Sequence, residues 1–166
     1  MGHSISRGRQ LSSSDDQLLH FEDFEADQSY DLGTHKMTSE EILDFARRFD
    51  PQPFHVDEER AKGSVFGGLV ASGWHTASVF MRLYVGSLLA RSAAMGSPGV
   101  EELRWLKPVR PGDVLSASLR VLRTEPSSCR SDRGTVFVLA EVVNQKGETV
   151  MTMKARGYFR RRRQAG

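Results

Sequence analysis

Two side chains that could exchange a proton with one substrate lie close together in the first third of the chain. Asp50 and His55 are separated by four residues, which include Pro51 and Pro53. Because proline fixes φ, the two side chains lose little further freedom when they converge on one substrate. A carboxylate beside an imidazole can hold one tautomer or share a water molecule, as general acid–base catalysis requires. On spacing alone, a turn begun by Asp50 and a structural His55 remain the simpler interpretation.

A second short motif could bind developing negative charge. Ser72 and Gly73 stand where a helix is predicted to begin. Glycine leaves its amide unshielded, and the helix dipole favours negative charge at that end, so the pair could form an oxyanion hole. The alternative is that Ser72 only caps the helix and Gly73 only helps the chain to turn. Taken alone, the motif favours this alternative.

The elements that must position these residues begin with a helix. Thr38 and Glu41 fit a capping box, and Pro51 predicts that the helix ends at Asp50. The helical spacing of apolar residues predicts one buried stripe, formed by Ile42, Phe45, Ala46 and Phe49. A short helical turn is predicted for residues 57–62.

A second helix is predicted for residues 73–90, and it is apolar on nearly every face. Such a helix is typical of a buried position, so other elements must wrap around it. Period-two alternation and turn residues predict strands at residues 100–106, 115–121, 135–143 and 149–159. The pattern therefore predicts an α+β domain, in which one antiparallel sheet curls around one apolar helix.

Composition limits the possible classes of protein. The 166 residues, 39% hydrophobic and 27% charged, fit one globular domain, which we place at residues 18–160. Cys129 is the only cysteine, so neither a disulfide framework nor a cysteine-based zinc site is expected. We expect no membrane partner and no secretory signal, hence a cytoplasmic protein.

The two ends of the chain differ in composition from the predicted domain. Residues 1–17 are polar and are predicted to be a disordered lead-in. Residues 161–166 form a basic tail that continues the arginine run from Arg160. Because the net charge is only +2 and no aromatic residue interrupts the arginines, we expect a solvated tail and no nucleic-acid partner.

Three segments together resemble a known family. The first contains Phe45, Ala46, Asp50, Pro53, His55 and Asp57; the second is Gly68-Leu69-Val70-Ala71-Ser72-Gly73. The third contains Leu103, Arg104, Trp105, Pro108, Val109, Gly112 and Asp113. In this order they are similar to the MaoC-like dehydratases, the (R)-specific enoyl-CoA hydratases, over nearly the whole chain from about Phe21.

The resemblance implies a fold, a reaction and a partner. It implies a hotdog fold, a homodimer, and an acyl-CoA substrate bound near the subunit boundary. Asp50 and His55 are then the catalytic pair that activates water to hydrate an enoyl thioester. Gly73, with Ser72 beside it, is then the substrate-binding site that polarises the thioester carbonyl. The resemblance implies neither a metal nor another cofactor.

The sequence departs from the family pattern at two positions. Gln52 stands where family members often carry asparagine, and Ser72 stands where they often carry histidine. These departures leave Asp50 and His55 in place and bear on the substrate class more than on the reaction. Because hotdog domains also occur as thioesterases, thioester hydrolysis and non-catalytic acyl-CoA binding stay open as alternatives, although Asp50 and His55 favour hydration. The length of the acyl chain also stays open.

Other polar residues are assigned no part in the chemistry. His75 is interpreted as structural, and His20 and His35 have no distinguishing neighbours. The cations that could meet CoA phosphates are more simply a solvated face, formed by Arg104, Lys107 and Arg110.

Overall fold

The computed structural model describes residues 17–163, so the predicted lead-in, apart from Gln17, and residues 164–166 lie outside it. The described helices are α1 (Ser39–Phe49), α2 (Pro53–Val56), α3 (Glu58–Lys62) and α4 (Gly73–Ser87). The described strands are β1 (Ser29–Lys36), β2 (Gly99–Trp105), β3 (Val114–Pro126), β4 (Arg133–Val143) and β5 (Thr149–Arg160). They form one antiparallel sheet in the order β1-β3-β4-β5-β2.

Alternating apolar side chains turn one face of the sheet toward the core. In β3 every second residue is buried, namely Leu115, Ala117, Leu119 and Val121. The β4–β5 hairpin is closed by Asn144, whose Oδ1 accepts the amides of Lys146 and Glu148. Gly147 supplies the positive φ of 75° that this turn needs. The alternation and the hairpin are confirmed.

Helix α4 lies against the concave face of the sheet, and Val79 and Phe80 are buried there. The sheet wrapped around a long helix is the hotdog fold, so the predicted fold class is confirmed. The prediction that α4 is buried on every side is wrong for the single chain. Trp74 is 60% exposed, and Met81 and Val85 are nearly half exposed, because one sheet covers only one side of a helix.

Helix α1 begins and ends as predicted. Thr38 Oγ1 accepts the Glu41 amide at 3.2 Å, and Asp50 is the C-cap. The Glu41 side chain does not complete the predicted capping box, since its Oε1 lies 2.7 Å from His35 Nε2. The buried stripe is also shorter than predicted, because Phe49 at the last turn is 65% exposed.

Two elements carry no clear signal in the sequence. Strand β1 buries only Leu32, so its apolar residues do not alternate, and Gly33 lies at a shift in its register with β3. Helix α2 has only four residues and begins with Pro53, a residue suited to a first helical turn. Helix α3 confirms the turn predicted for residues 57–62.

The first arginines beyond β5 bind the N-terminal part of the described chain. Arg161 Nε lies 3.0 Å from Glu22, and Arg162 Nη2 lies 2.6 and 2.7 Å from the two carboxylate oxygens of Asp23. These arginines therefore join the two ends of the domain, although both stay partly exposed. The domain bounds 18–160 stay a prediction.

Candidate active site

The end of α1 fixes the first candidate catalytic residue. Asp50 terminates the helix because Pro51 follows it, and its carboxylate is held on both oxygens. The Ser72 hydroxyl donates to Oδ2 at 2.7 Å, and the Gln52 amide donates to Oδ1 at 2.8 Å. The two residues that depart from the family pattern are therefore the two that orient this carboxylate.

These contacts determine the charge of Asp50. Burial raises the pKa of this carboxyl, but the hydrogen bonds from Ser72 and Gln52, with nearby His55, outweigh burial and lower it. Donors that bind the ionised form favour that form. Asp50 is therefore a carboxylate at neutral pH and can accept a proton.

The second candidate, His55, lies in α2 and is only 6% exposed. Its Nδ1 lies 2.7 Å from the Val70 carbonyl oxygen. A carbonyl can only accept, so Nδ1 donates to it, and Nε2 is the ring nitrogen left to face Asp50. Sequence reasoning missed this backbone partner, because the Val70 carbonyl leaves no mark in residue type.

The two candidates face each other through Asp50 Oδ2 and His55 Nε2, which are 3.5 Å apart. This separation exceeds that of a strong charge-assisted hydrogen bond, so the two groups are not joined by a short direct bond. Two polar groups so placed can both hydrogen-bond to one water molecule. The arrangement therefore suits the binding of a water whose oxygen is made nucleophilic.

The N-terminus of α4 supplies the third candidate group. Ser72 caps the helix by accepting the Trp74 amide at 3.3 Å, and Gly73 is the first helical residue. Amides in a first turn have no partner within their helix. The position also requires glycine, because a Cβ on Gly73 would overlap the indole ring of Trp105.

A cavity of about 380 Å³ lies between His55 and Gly73. His55, Gly73 and Thr76 line it together with apolar side chains, among them Phe54, Phe66, Trp105 and Val109. Asp50 is not part of this lining, and it meets the cavity through its contact with His55. The structure thus brings Asp50, His55 and Ser72 into contact, and it places His55 and Gly73 on one cavity.

The cations near this cavity have protein partners. Arg104 pairs with Glu102, and Lys107 Nζ lies 2.6 Å from Glu148. Arg110 Nη2 donates to the Phe66 carbonyl at 2.6 Å and so fixes the loop that carries one cavity wall. The interpretation of Arg104, Lys107 and Arg110 as a solvated face did not predict the contact between Arg110 and the Phe66 carbonyl. The turn that carries Arg110 is nevertheless part of the third segment that resembles the family.

His75 does not line the cavity of His55 and Gly73. Its ring is buried and stacks on Phe45 of α1, with centroids 4.7 Å apart and an interplanar angle of 7°. Its Nε2 lies 3.7 Å from Glu41 Oε1. These contacts are structural in character, as the sequence analysis interpreted them.

Residues 17–163 contain neither a cluster of metal-ligand side chains nor a membrane-spanning helix. No three or more His, Cys, Asp or Glu side chains come together there as metal ligands would. None of the helices in this range has the length and apolarity needed to cross a bilayer. A cytoplasmic location stays a prediction.

Comparison with known proteins identifies the family. The family described as MaoC like domain matches residues 22–144, which is most of the chain. This chain belongs to that family. Among curated relatives, an (R)-specific enoyl-CoA hydratase from Rhodospirillum rubrum is 31% identical over 146 residues, which cover 87% of this chain and 99% of the relative.

Solved structures of the MaoC family agree with the fold. A MaoC-like dehydratase from Rhodospirillum rubrum is 44% identical, with a TM-score of 0.82 and coverage of 88% of this chain and 99% of that one. The R-hydratase PhaJ1 from Pseudomonas aeruginosa, at 23% identity, has a TM-score of 0.67 and covers 84% of both chains. The second likeness supports the fold alone.

Proposed function

We propose that this MaoC-like protein is a hydro-lyase that reversibly adds water to a trans-2-enoyl-CoA and forms the (R)-3-hydroxyacyl thioester. The observation that carries the proposal is the facing pair, Asp50 Oδ2 and His55 Nε2, 3.5 Å apart beside the cavity that Gly73 lines. Hydration needs a base and a proton donor near one alkene, and this pair can be both in turn.

The proposed reaction begins with a water held between Asp50 and His55. Its oxygen attacks C3 of the enoyl group while one of its protons passes to the pair. The C2–C3 π electrons move toward the thioester carbonyl, and the resulting enolate takes a proton at C2. The pair binds one proton and releases one, so no net proton is consumed. Asp50 and His55 act as a coupled pair, so neither proton transfer is assigned to one of the two residues alone.

The Gly73 amide is proposed to stabilise the negative charge that develops on the thioester oxygen. It lies at the positive end of the α4 dipole, where a preorganised amide is most effective. The mostly apolar walls of the cavity lower the local dielectric and so strengthen this interaction. The same walls suit the acyl thioester rather than a polar substrate.

The proposed assembly is a homodimer that covers the exposed side of α4. The exposed apolar residues of this face, called here the α4–β2 face, are Trp74, Met81, Val85, Val100 and Trp105. Within this face Trp74 packs edge-on against Trp105, and Met81 lines an apolar cavity with Val100. Strand β2 is also an edge of the sheet. Exposed apolar side chains beside an open edge are typical of an interface, and a second copy fits both parts.

The dimer is tested by the mass of the full chain in solution. Val85→Glu places a charge in the α4–β2 face and should shift sedimentation from dimer toward monomer, because an unpaired charge resists burial. Ser116→Glu is a control on β3, which lies inside the sheet order and outside this face. A wild-type protein that stays monomeric at micromolar concentration contradicts the proposal.

The reaction is tested with a panel of trans-2-enoyl-CoA chain lengths and no added cofactor. Loss of the enoyl absorbance and release of free CoA thiol are followed together, and the product is resolved by chiral chromatography. We expect the absorbance to fall without thiol release and to give the (R) product. Thiol release from an intact enoyl group identifies a thioesterase, and binding without turnover identifies a non-catalytic binder.

A further inference from the structure

We propose that His75 is a positioning residue, which clamps α1 to α4 and so holds the Asp50 carboxylate in its orientation beside Ser72. Only the kinetic consequence of this proposal rests on the proposed function. Its structural part concerns how two helices that carry different halves of the site are held together.

The argument begins with the division of the site between helices. Asp50 is at the end of α1, whereas Ser72 is at the start of α4, and their hydrogen bond is 2.7 Å long. A hydroxyl–carboxylate bond of this length is sensitive to displacement of either helix. Something must therefore fix the distance between the end of α1 and the start of α4.

Helix α1 and its C-cap meet the start of α4 at three residues. Glu41 and Phe45 are four residues apart and so lie on one face of α1, and Asp50 is the C-cap at the end of the same helix. Facing them on α4 are His75, which meets Glu41 and Phe45, and Ser72, which meets Asp50. His75 is therefore the partner of the two α1 residues that precede the catalytic carboxylate.

The ring of His75 is suited to this task by its stacking. An interplanar angle of 7° at 4.7 Å gives broad contact with Phe45, and the histidine is 6% exposed. Its position is also limited by the groups of a small cavity around it, which include Glu41 of α1, His35 of β1 and Arg82 of α4. Among these groups, Glu41 Oε1 lies 2.7 Å from His35 Nε2, which limits the movement of the Glu41 side chain.

One atom of His75 is not explained by hydrogen bonding. Its Nδ1 is buried and has no partner among the described residues. A buried nitrogen without a partner is unfavourable, so the ring is not held there by a hydrogen bond at Nδ1. The stack on Phe45 is left as the contact that holds the ring, and an apolar ring of similar shape should replace it.

The first test measures the position of the carboxylate without any substrate. The pKa of Asp50 is followed by carboxyl ¹³C NMR in the full chain, with the resonance assigned by its loss in Asp50→Asn. In His75→Ala we expect the pKa to rise toward its ordinary value, because the Ser72 hydrogen bond that lowers it is loosened. In His75→Phe it should stay as in the wild type.

The second test is kinetic. His75→Ala should lower kcat for hydration about ten- to hundred-fold, the scale of a small misplacement. The acid limb of its pH profile should move to higher pH, while His75→Phe stays within about threefold of the wild type. If the wild type turns over no enoyl thioester, the proposed function fails, but the NMR measurement still decides the clamp.

Two further variants separate positioning from stability. Phe45→Leu removes the stack from the α1 side and should reproduce the His75→Ala shift, which keeps the test decisive if His75→Ala does not fold. Phe80→Leu alters a buried ring of α4 that packs on Tyr84. It should lower Tm while the pKa of Asp50 stays unchanged. An unshifted Asp50 in both His75→Ala and Phe45→Leu, or an equal shift in Phe80→Leu, overturns the proposal.

Discussion

Two buried histidines lie on either side of the α1–α4 junction, and their surroundings differ in one respect that matters for chemistry. His55 and His75 are each 6% exposed, and each faces a carboxylate from α1, Asp50 at 3.5 Å and Glu41 at 3.7 Å. The Nδ1 of His55 meets the Val70 carbonyl, whereas the Nδ1 of His75 meets no partner among residues 17–163. Burial and a nearby acid are therefore common to both.

The backbone partner separates a ring suited to catalysis from a ring suited to packing. The Val70 carbonyl accepts from His55 Nδ1 and leaves Nε2 as the ring nitrogen that faces Asp50 beside the cavity. In neutral His75 the lone pair is buried on Nδ1, so protonation would bury an N–H without an acceptor. Under the proposed function, this main-chain contact distinguishes the histidine that takes part in proton transfer from the one that packs between helices.

The largest expected effect is on the reactive pair. Asp50→Asn and His55→Ala should each lower kcat/KM for enoyl-CoA hydration by about 10²–10⁴, the usual loss for a positioned general base. The double variant should be little worse than either single variant, because residues that act as one unit are not additive. Rates of loss of the enoyl absorbance measure all three. The comparison fails if His75→Phe is slowed as much as His55→Ala.

The next effect concerns the glycine that opens α4. Gly73→Ala places a methyl group against Trp105, and such overpacking typically destabilises by about 1–3 kcal/mol. The helix start moves with it, so kcat should fall by up to about 10²-fold. Gly86→Ala is the matched control, since nothing lies within 4 Å of its Cβ position. It should keep full activity and gain about 0.5–1 kcal/mol. Full activity in Gly73→Ala would exclude a close role for this helix start.

Much of the fold was predictable because it depends on local patterns. Apolar alternation located the first part of β3, which extends beyond the predicted end to Pro126, and turn residues helped to locate β2, β4 and β5. Pro51 located the end of α1. Strand β1 was missed because its sheet-edge position buries only Leu32. The exposed stripe of α4 was missed because apolar residues look alike whether a sheet or a partner covers them. The exposed and the buried apolar residues of α4 are distinguished only by how the folded chain packs around the helix.

The candidate site was predictable as a set of residues but not as an arrangement. The resemblance to the family selected Asp50, His55, Ser72 and Gly73, whose roles remain proposals. It could not show that Gln52 and Ser72 both bind the carboxylate, because those contacts depend on how α1 meets α4. It could not show the Val70 carbonyl either, since every residue has one.

A smaller effect is expected at the hydroxyl that orients Asp50. Ser72→Ala removes a hydrogen bond that lowers the Asp50 pKa, so this pKa should rise. Activity that needs the carboxylate is lost as pH falls through its pKa, so the acid limb of kcat/KM should move to higher pH. Loss of the helix cap should also destabilise the fold by about 1 kcal/mol. Ser72→Thr keeps a hydroxyl and should keep the wild-type profile; an unmoved acid limb in Ser72→Ala would show that this bond does not tune Asp50.

The smallest expected effect tests the packing role of His75 through the pH dependence of stability. Burial lowers the pKa of His75, and Glu41 only partly opposes this. The unfolded chain therefore takes up a proton near pH 6.5, before the folded chain does. Stability from the neutral ring is complete above that pH and declines as pH falls toward the folded pKa, by at most about 1.4 kcal/mol per pH unit. Urea unfolding of the wild type between pH 7.5 and pH 5 should show this decline. Its slope should correspond to the uptake of about one proton on unfolding. His75→Phe should flatten the curve, because phenylalanine cannot titrate. An equally steep decline in His75→Phe would assign the pH dependence to another group and remove this distinction between the two histidines.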